Sequence, residues 1–125
     1  MPKLAANIAY MFTERPLLKR IGAAALAGFS AIELQFPYDI APAVMKAEIE
    51  KHGLTVLGLN TERGGADQFG LAAVPGREAD FAALFKQALD YIVAVGGRSV
   101  NMYAMLAASF DTVSPACIRC CHCIE

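Results

Sequence analysis

Segments typical of buried strands alternate with segments of helical periodicity along most of this chain, and that alternation constrains its fold more than any other feature. Short apolar runs predict strands at residues 4–9, 31–36, 54–59 and 99–103. Apolar residues at helical spacing predict helices at residues 14–27, 42–52 and 77–95. Because short turns separate most of these segments, we expect parallel strands joined by right-handed crossovers.

Proline, glycine and capping residues mark where the predicted helices begin and end. Thr13 is placed to cap the first helix, with Glu14 in its first turn, and Gly28 is a favourable stop. Pro42 has a fixed φ that suits the first turn of the second helix. The long glycine-containing loop at residues 60–76 has a length that is more often functional or mobile than incidental.

Two architectures fit this order of elements, an open doubly wound sheet and an arc of a closed (β/α)8 barrel. A complete barrel needs roughly 250 residues, and this chain has 125. No Gly-x-Gly-x-x-Gly follows the first strand and no Walker-type phosphate loop is present, so a nucleotide site has no support. The fold class predicted is α/β, with parallel β/α units forming about half of a TIM barrel in residues 1–104 and an irregular cysteine-rich tail in residues 105–125.

The net charge and hydrophobic composition limit which partners and which cellular compartment we expect. The formal net charge of −1 gives no field that would favour nucleic acid or an anionic membrane. The longest apolar stretch, residues 21–29, is too short to span a bilayer, and the N-terminus lacks the apolar core of a signal peptide. We therefore expect a cytoplasmic protein. Its hydrophobic fraction of 56% exceeds the roughly 45–50% usual for soluble domains, which calls for a fold covered on several sides or for a partner.

Polar residues at the predicted strand ends are the candidate site residues, because ligands bind at the carboxyl ends of parallel strands in both architectures. They are Asn7, Glu33, Asn60 and Asn101. Glu33 stands out because apolar residues flank it, and a buried carboxylate must be paired, hydrogen-bonded or protonated. One interpretation places Glu33 in a substrate pocket; the other pairs it with a Lys or Arg, or turns it towards a helix.

Other polar and aromatic residues allow a functional and a structural interpretation. Phe36 and Tyr38 directly follow the second strand and could form one wall of a pocket or pack beneath a loop. His52 lies at a helix end, a position that favours a cation. Arg77 and Glu78 could clamp an anion, but an ordinary first helical turn is the favoured interpretation.

The C-terminal segment holds every cysteine of the chain. These weak metal-ligand candidates are Cys117, Cys120, Cys121 and Cys123, with His122 among them. A structural zinc site usually has two ligand pairs separated by a loop, whereas these residues are crowded together. Three interpretations stay open: a zinc or soft-metal site, thiols that oxidise, or the product of a frameshift or truncation.

Several short motifs, in order and at consistent spacing over residues 2–104, carry a family resemblance. They are Leu-Ala-Ala-Asn at 4–7, Met-Phe-Thr-Glu at 11–14, Gly-Phe at 28–29, Ile-Glu at 32–33, Phe-Pro-Tyr at 36–38, Gly-Leu-Thr at 53–55, Asn60, Gly-Leu-Ala-Ala at 70–73, Val-Pro-Gly-Arg-Glu at 74–78 and Ala-Leu-Asp-Tyr at 88–91. Together they resemble the hydroxypyruvate isomerase family of xylose-isomerase-like TIM barrels. The chain departs from the pattern at Met105, where the family continues into a glycine.

The resemblance implies an aldose–ketose isomerase that converts hydroxypyruvate to tartronate semialdehyde with a divalent metal of the Mg or Mn type. In the family, the base and metal ligands come from later strands, so no catalytic or metal residue is carried over to this chain. We therefore expect little activity from this chain alone. Because strands one and four would be open edges and the inner face of the sheet would be uncovered, we expect either a homo-oligomer that buries this face or a chain that is unstable alone. The alternative is a non-catalytic interaction module with a metal-binding cysteine tail.

Overall fold

The structure is a computed structural model of the 125-residue chain, and it describes residues 3–65 and 70–103. Strands and helices alternate in the predicted order. The elements are β1 (Ala5–Asn7), α1 (Leu17–Leu26), β2 (Ala31–Glu33), α2 (Pro42–Lys51), β3 (Thr55–Asn60), α3 (Glu78–Ala94) and β4 (Ser99–Asn101). Three of the strands, β1, β2 and β4, have only three residues each and are shorter than predicted.

The strands form one parallel sheet in the order β1-β2-β3-β4. A doubly wound sheet reverses its strand order at a switch point, whereas successive strands of a barrel are neighbours throughout. No reversal occurs among these four strands. The observed order therefore agrees with the predicted barrel arc and not with the doubly wound alternative.

The chain divides into two compact units. Among the described residues, the first contains 3–60 and 88–101, which include the whole described sheet, α1, α2 and the end of α3. The second contains the described residues 61–65, 70–87, Met102 and Tyr103.

The core of the first unit lies between the three helices and one face of the sheet. Its main strand residues are Ala6, Ile32, Val56 and Leu59, and its helix residues are Ile21, Ala24, Met45, Ile49, Ala88, Tyr91 and Ile92. Side chains alternate between the two faces of a strand, so the flanking residues of β1 and β2 face away from the helices. These are half-buried, as the intermediate exposure of Asn7 and Glu33 shows.

The predicted Thr13 cap of α1 is wrong. The helix begins after Pro16, and no side chain caps it. The physical reason is that a proline disfavours helical backbone in the preceding residue, here Arg15. The guanidinium of Arg20 holds the preceding loop instead, donating to the carbonyl oxygens of Ile8 at 3.0 Å and Arg15 at 2.8 Å.

Other helix boundaries agree with the sequence patterns. Pro42 is the first residue of α2, as its fixed φ predicts. Gly28 follows α1 with a φ of 89°, a left-handed conformation that glycine adopts without a steric penalty. α3 begins one residue after the predicted Arg77.

The second unit has a small apolar cluster of its own. Leu71, Ala72 and Phe81 are buried in it, and the rings of Phe81 and Phe85 stack with centroids 5.9 Å apart. Thr61 is also buried, and its Oγ1 accepts a hydrogen bond from the backbone N–H of Tyr103 at 3.1 Å. In the parts of the chain described, no helix has both the length and the apolar character needed to cross a membrane.

Candidate functional site

The carboxyl ends of the strands bring the four predicted polar residues together in two neighbouring pairs. The register places Asn7 beside Glu33 on β1 and β2, and Asn60 beside Asn101 on β3 and β4. All four belong to the first compact unit. The sequence predicts each residue at a strand end, and the parallel pairing brings them into two pairs, which together we call the polar row; Asn60 lies two residues beyond Gly58, the partner of Glu33.

Glu33 faces away from the helical core and is half-buried. Its Oε2 accepts a hydrogen bond from Asn7 Nδ2 at 3.5 Å, a long contact, while Asn7 Oδ1 accepts the backbone N–H of Ala9 at 3.1 Å. Within the described residues, no Lys or Arg lies within ion-pair distance of Glu33. The described residues therefore do not support the ion-pair interpretation of Glu33. Among them, most of the acceptor capacity of its carboxylate is unused.

A local irregularity in the sheet brings Asn60 into this row. The register between β2 and β3 pairs Ile32 with Val56 but Glu33 with Gly58, so one residue of β3 is skipped. Such a bulge reverses the alternation of side chains beyond it. Leu59 consequently joins the helix-side core, and Asn60 lies on the same face as Glu33.

Asn60 and Asn101 form a direct side-chain contact. Asn101 Nδ2 donates to Asn60 Oδ1 at 3.1 Å. Asn60 is only 6% exposed, so this bond satisfies an acceptor that has little access to water. Asn101 is exposed and presents the remainder of its amide to solvent.

The two aromatic candidates, Phe36 and Tyr38, lie just after β2 and are both half-buried. Tyr38 donates its hydroxyl hydrogen to the backbone oxygen of Asn60, and its half-buried ring packs against the first unit's core. The Tyr38 ring also meets Tyr91 edge to face, with centroids 5.5 Å apart. The Tyr38 ring is therefore packed, as one of the two interpretations of the sequence predicted. Its hydroxyl also lies at the carboxyl end of β3.

Tyr91 is the residue near this site that sequence reasoning missed. It is buried on α3, and its hydroxyl lies 3.1 Å from the carbonyl oxygen of Pro37 and 2.9 Å from that of Ile40. Burial raises the pKa of Tyr91 to about 12 because the charged phenolate loses hydration. The signal in the sequence was a tyrosine three residues after Ala88, within the apolar stripe of the predicted helix.

The remaining polar candidates have structural partners. His52 Nε2 lies 3.2 Å from Glu48 Oε1, one helical turn earlier on α2. In the second unit, Arg77 pairs with Asp80, and Glu78 Oε1 accepts the backbone N–H of Gly76 at 3.2 Å. These contacts agree with the first-turn interpretation favoured for Arg77 and Glu78.

A cavity of about 330 Å³ opens at the opposite end of the sheet. It is lined by the first residues of the strands and by neighbouring cations, including Ala5, Ala31, Thr55, Lys3 and Arg98. Ligands of parallel sheets bind at the carboxyl ends, so cavity volume alone is a poor guide here. We place the candidate site at the polar row.

The described residues do not contain a metal-binding group of three or more His, Cys, Asp or Glu side chains. The weak candidates Cys117, Cys120, Cys121, His122 and Cys123, like the predicted tail at residues 105–125, lie outside the described residues.

A family model described as the xylose isomerase-like TIM barrel matches residues 21–122. A 2-oxo-tetronate isomerase from Cupriavidus necator is 42% identical over 108 residues, which are 85% of this chain and 42% of that protein. A second one, from Haemophilus influenzae, is 44% identical over 104 residues, 82% of this chain and 40% of its own length. A putative hydroxypyruvate isomerase from Mus musculus is 36% identical over 105 residues, which are 82% of this chain and 38% of that protein.

A solved structure shares the fold. The crystal structure of an AP endonuclease, family 2, from Brucella melitensis superposes with a TM-score of 0.88 at 35% identity, covering 95% of this chain and 48% of that one. The chain spans about two fifths of the length of the curated relatives it matches. These findings confirm the resemblance stated from the sequence motifs and the partial-barrel fold.

Proposed function

The chain belongs to the xylose isomerase-like TIM barrel family, and we propose that it supplies substrate contacts for an isomerase of small hydroxy-carbonyl acids. The observation that carries this proposal is the polar row at the carboxyl ends of the strands, in a chain similar to proteins named as isomerases. Amide and carboxylate groups in such a row match the carbonyl, hydroxyl and carboxylate groups of a substrate of that kind.

Hydroxypyruvate is the substrate that we propose first. Its isomerisation removes a proton from C3, passes through an enediolate and returns a proton to C2, while the hydroxyl proton moves from the oxygen on C3 to the oxygen on C2. The product is tartronate semialdehyde, with the same atoms and electrons as the reactant. The relatives named as 2-oxo-tetronate isomerases make 2-oxo-tetronate the competing substrate.

The roles of the row follow from its donors and acceptors. Glu33 has a carboxylate oxygen without a hydrogen-bond partner among the described residues, so it can accept a substrate hydroxyl. The exposed amide of Asn101 can donate to a substrate oxygen, because only part of it is engaged with Asn60. Asn7 and Asn60 hold these two side chains in place, and Tyr38 and Phe36 form the adjacent wall.

A divalent metal of the Mg or Mn type, implied by the family resemblance, would stabilise the developing enediolate oxygen. Because the described residues lack a suitable ligand group, we assign no step of this chain to a metal. We propose that the base and the metal ligands come from other parts of a barrel, and that this chain by itself has little activity.

We also propose that the open strand edges are covered by a second copy of the chain. Within the described sheet, β1 and β4 each pair along one side only, and unpaired edges of parallel sheets favour association. Sedimentation should show an oligomer in solution. A monodisperse monomer with cooperative unfolding would contradict this.

A chimera tests the function with a complete barrel. Residues 1–103 of this chain would replace the matching segment of the Cupriavidus necator relative, and isomerisation of hydroxypyruvate and 2-oxo-tetronate would be followed with Mg²⁺ or Mn²⁺. We expect an active chimera in which Glu33→Gln lowers kcat/KM by about tenfold to a hundredfold, the effect of losing a charged hydrogen bond.

The matched control is Glu50→Gln, an exposed glutamate on α2 that pairs with Lys46 at 3.8 Å. It should leave kcat/KM within about twofold, since exposed ion pairs contribute little. Equal activity of the Glu33→Gln and Glu50→Gln chimeras would remove Glu33 from the substrate site. If the unaltered relative is active and the chimera is inactive, the proposed function is contradicted.

A further inference from the structure

A buried hydroxyl on α3 is bonded to the loop that follows β2. The Tyr91 oxygen lies 3.1 Å from the carbonyl oxygen of Pro37 and 2.9 Å from that of Ile40. A phenol has one hydrogen to donate, so the two carbonyls share it. Tyr91 is 5% exposed, which leaves this polar tip little access to water as an alternative partner.

The two carbonyls are the ends of one tight turn. The backbone N–H of Ile40 donates to the carbonyl oxygen of Pro37 at 3.0 Å. Tyr38 lies inside that turn, so fixing its two ends also fixes the backbone that carries the Tyr38 ring. The edge-to-face contact between Tyr38 and Tyr91 restrains the ring itself.

Tyr38, within the turn, also contacts a residue of the polar row. Tyr38 donates its hydroxyl hydrogen to the backbone oxygen of Asn60. Asn60 in turn accepts the side-chain amide of Asn101. Hydrogen bonds, linked covalently through the turn backbone, Tyr38 and Asn60, therefore connect the buried face of α3 to the exposed edge of the sheet, all within the first compact unit.

We propose that Tyr91 is a positioning residue that holds the turn after β2 in the arrangement that the substrate site requires. Through Tyr38 in that turn, it also positions the Asn60–Asn101 pair. The consequence for catalysis rests on the proposed function. Tyr91 touches no substrate in this assignment. Its hydroxyl acts by restricting the backbone on which Tyr38 is mounted. A mainly apolar role for the ring would be served equally well by phenylalanine.

Hydrogen exchange in the Tyr91→Phe variant tests this without any ligand. The reporters are the amides of Ile40, which donates within the turn, and Asn60, which donates to the carbonyl oxygen of Gln35 at 3.0 Å. The reference is the amide of Thr55, which donates to the carbonyl oxygen of Ser30 at 3.1 Å at the other end of the sheet. We expect exchange at both reporters to rise about tenfold relative to the reference, as expected for one or two lost neutral hydrogen bonds.

Tyr10→Phe is the matched control, because it removes the hydroxyl of a tyrosine that is 71% exposed. It should leave all three amides unchanged. Unchanged exchange of Ile40 and Asn60 in Tyr91→Phe would overturn the proposal. An equal rise at the reporters and at Thr55 would also overturn it, because that result describes general destabilisation.

The chimera gives a second readout in a complete barrel. Tyr91→Phe and Tyr38→Phe should each lower kcat/KM, and the double variant should lose no more than the larger single effect, since both act through one series of contacts. Additive losses would contradict action through Tyr38. An inactive parent chimera would count against the proposed function alone, and the exchange measurement would still decide the role of Tyr91.

Discussion

Asn101 Nδ2 donates to Asn60 Oδ1 over 3.1 Å, which joins the carboxyl ends of β3 and β4 through their side chains. The two residues differ in environment, because Asn60 is buried and Asn101 is exposed. The pair therefore links the interior of the first unit to its polar edge. Removing the Asn101 side chain therefore has a different consequence from removing that of Asn60.

Asn101→Ala should lower the free energy of unfolding by about 1–3 kcal/mol, because it leaves the buried Asn60 oxygen without its donor. Urea unfolding followed by circular dichroism measures this change. The exposed helical residue Gln87 provides a control, since Gln87→Ala should stay within about 0.5 kcal/mol of the unaltered chain. Equal stability of the two variants would show that the Asn60 oxygen finds another partner.

Gly58→Ala should be destabilising by about 1–3 kcal/mol because the strands approach too closely for a side chain. A Cβ at Gly58 would lie 2.6 Å from Ser99 Oγ and 3.2 Å from the Ser99 backbone oxygen. The cost should fall in a Ser99→Ala background, which removes the closer atom. A double-mutant cycle of unfolding free energies checks this coupling, and strict additivity would refute the predicted overlap.

Ile32→Ala should cost about 2–5 kcal/mol, the usual range for truncating a fully buried aliphatic residue. Ile32 is 0% exposed and contributes to the core between the sheet and the helices. Leu26→Ala is the control, because Leu26 is 88% exposed at the end of α1 and should change stability by less than about 0.5 kcal/mol. The comparison uses midpoints of urea unfolding.

Alkaline pH should destabilise the chain through Tyr91. Burial raises its pKa from 10.0 to about 12, so the folded state keeps the phenol neutral where the unfolded state ionises. The associated stability is present below pH 10 and is lost as the pH rises from 10.0 to about 12. Tyr91→Phe should remove this component of the pH dependence, while Tyr10→Phe should keep it. Identical alkaline profiles for Tyr91→Phe and the unaltered chain would contradict the assignment.

Acid pH should act on α2 through Glu48. A hydrogen bond from Lys51 lowers the pKa of this carboxyl below 4.5; burial partly opposes the shift and His52 reinforces it. Because the folded pKa is depressed, the stabilisation is present above pH 4.5 and is lost as the pH falls through the lower folded value. Glu48→Gln should flatten this slope slightly and added salt should weaken it, whereas Glu50→Gln should leave it intact. The unfolding midpoint measured across the acid range provides the test.

Much of the candidate site could be placed from sequence, because strand ends carry a local signature. Asn7, Glu33, Asn60 and Asn101 stand out as polar residues in or just after apolar runs. Which of them are neighbours could not be read in the same way, since that depends on register between segments far apart in the chain. Their roles towards a substrate stay predictions.

The sequence by itself determined the kind and order of the helices and strands, because periodicity, proline and glycine act over a few neighbouring residues. Only the tertiary structure decided that the strands follow one another without reversal, and that a bulge beside Glu33 turns Asn60 to the polar face. It also decided that Tyr91 reaches the turn containing Tyr38, more than fifty residues earlier. These relationships arise from pairing and packing between distant segments, where a shift of one residue exchanges the two faces of a strand.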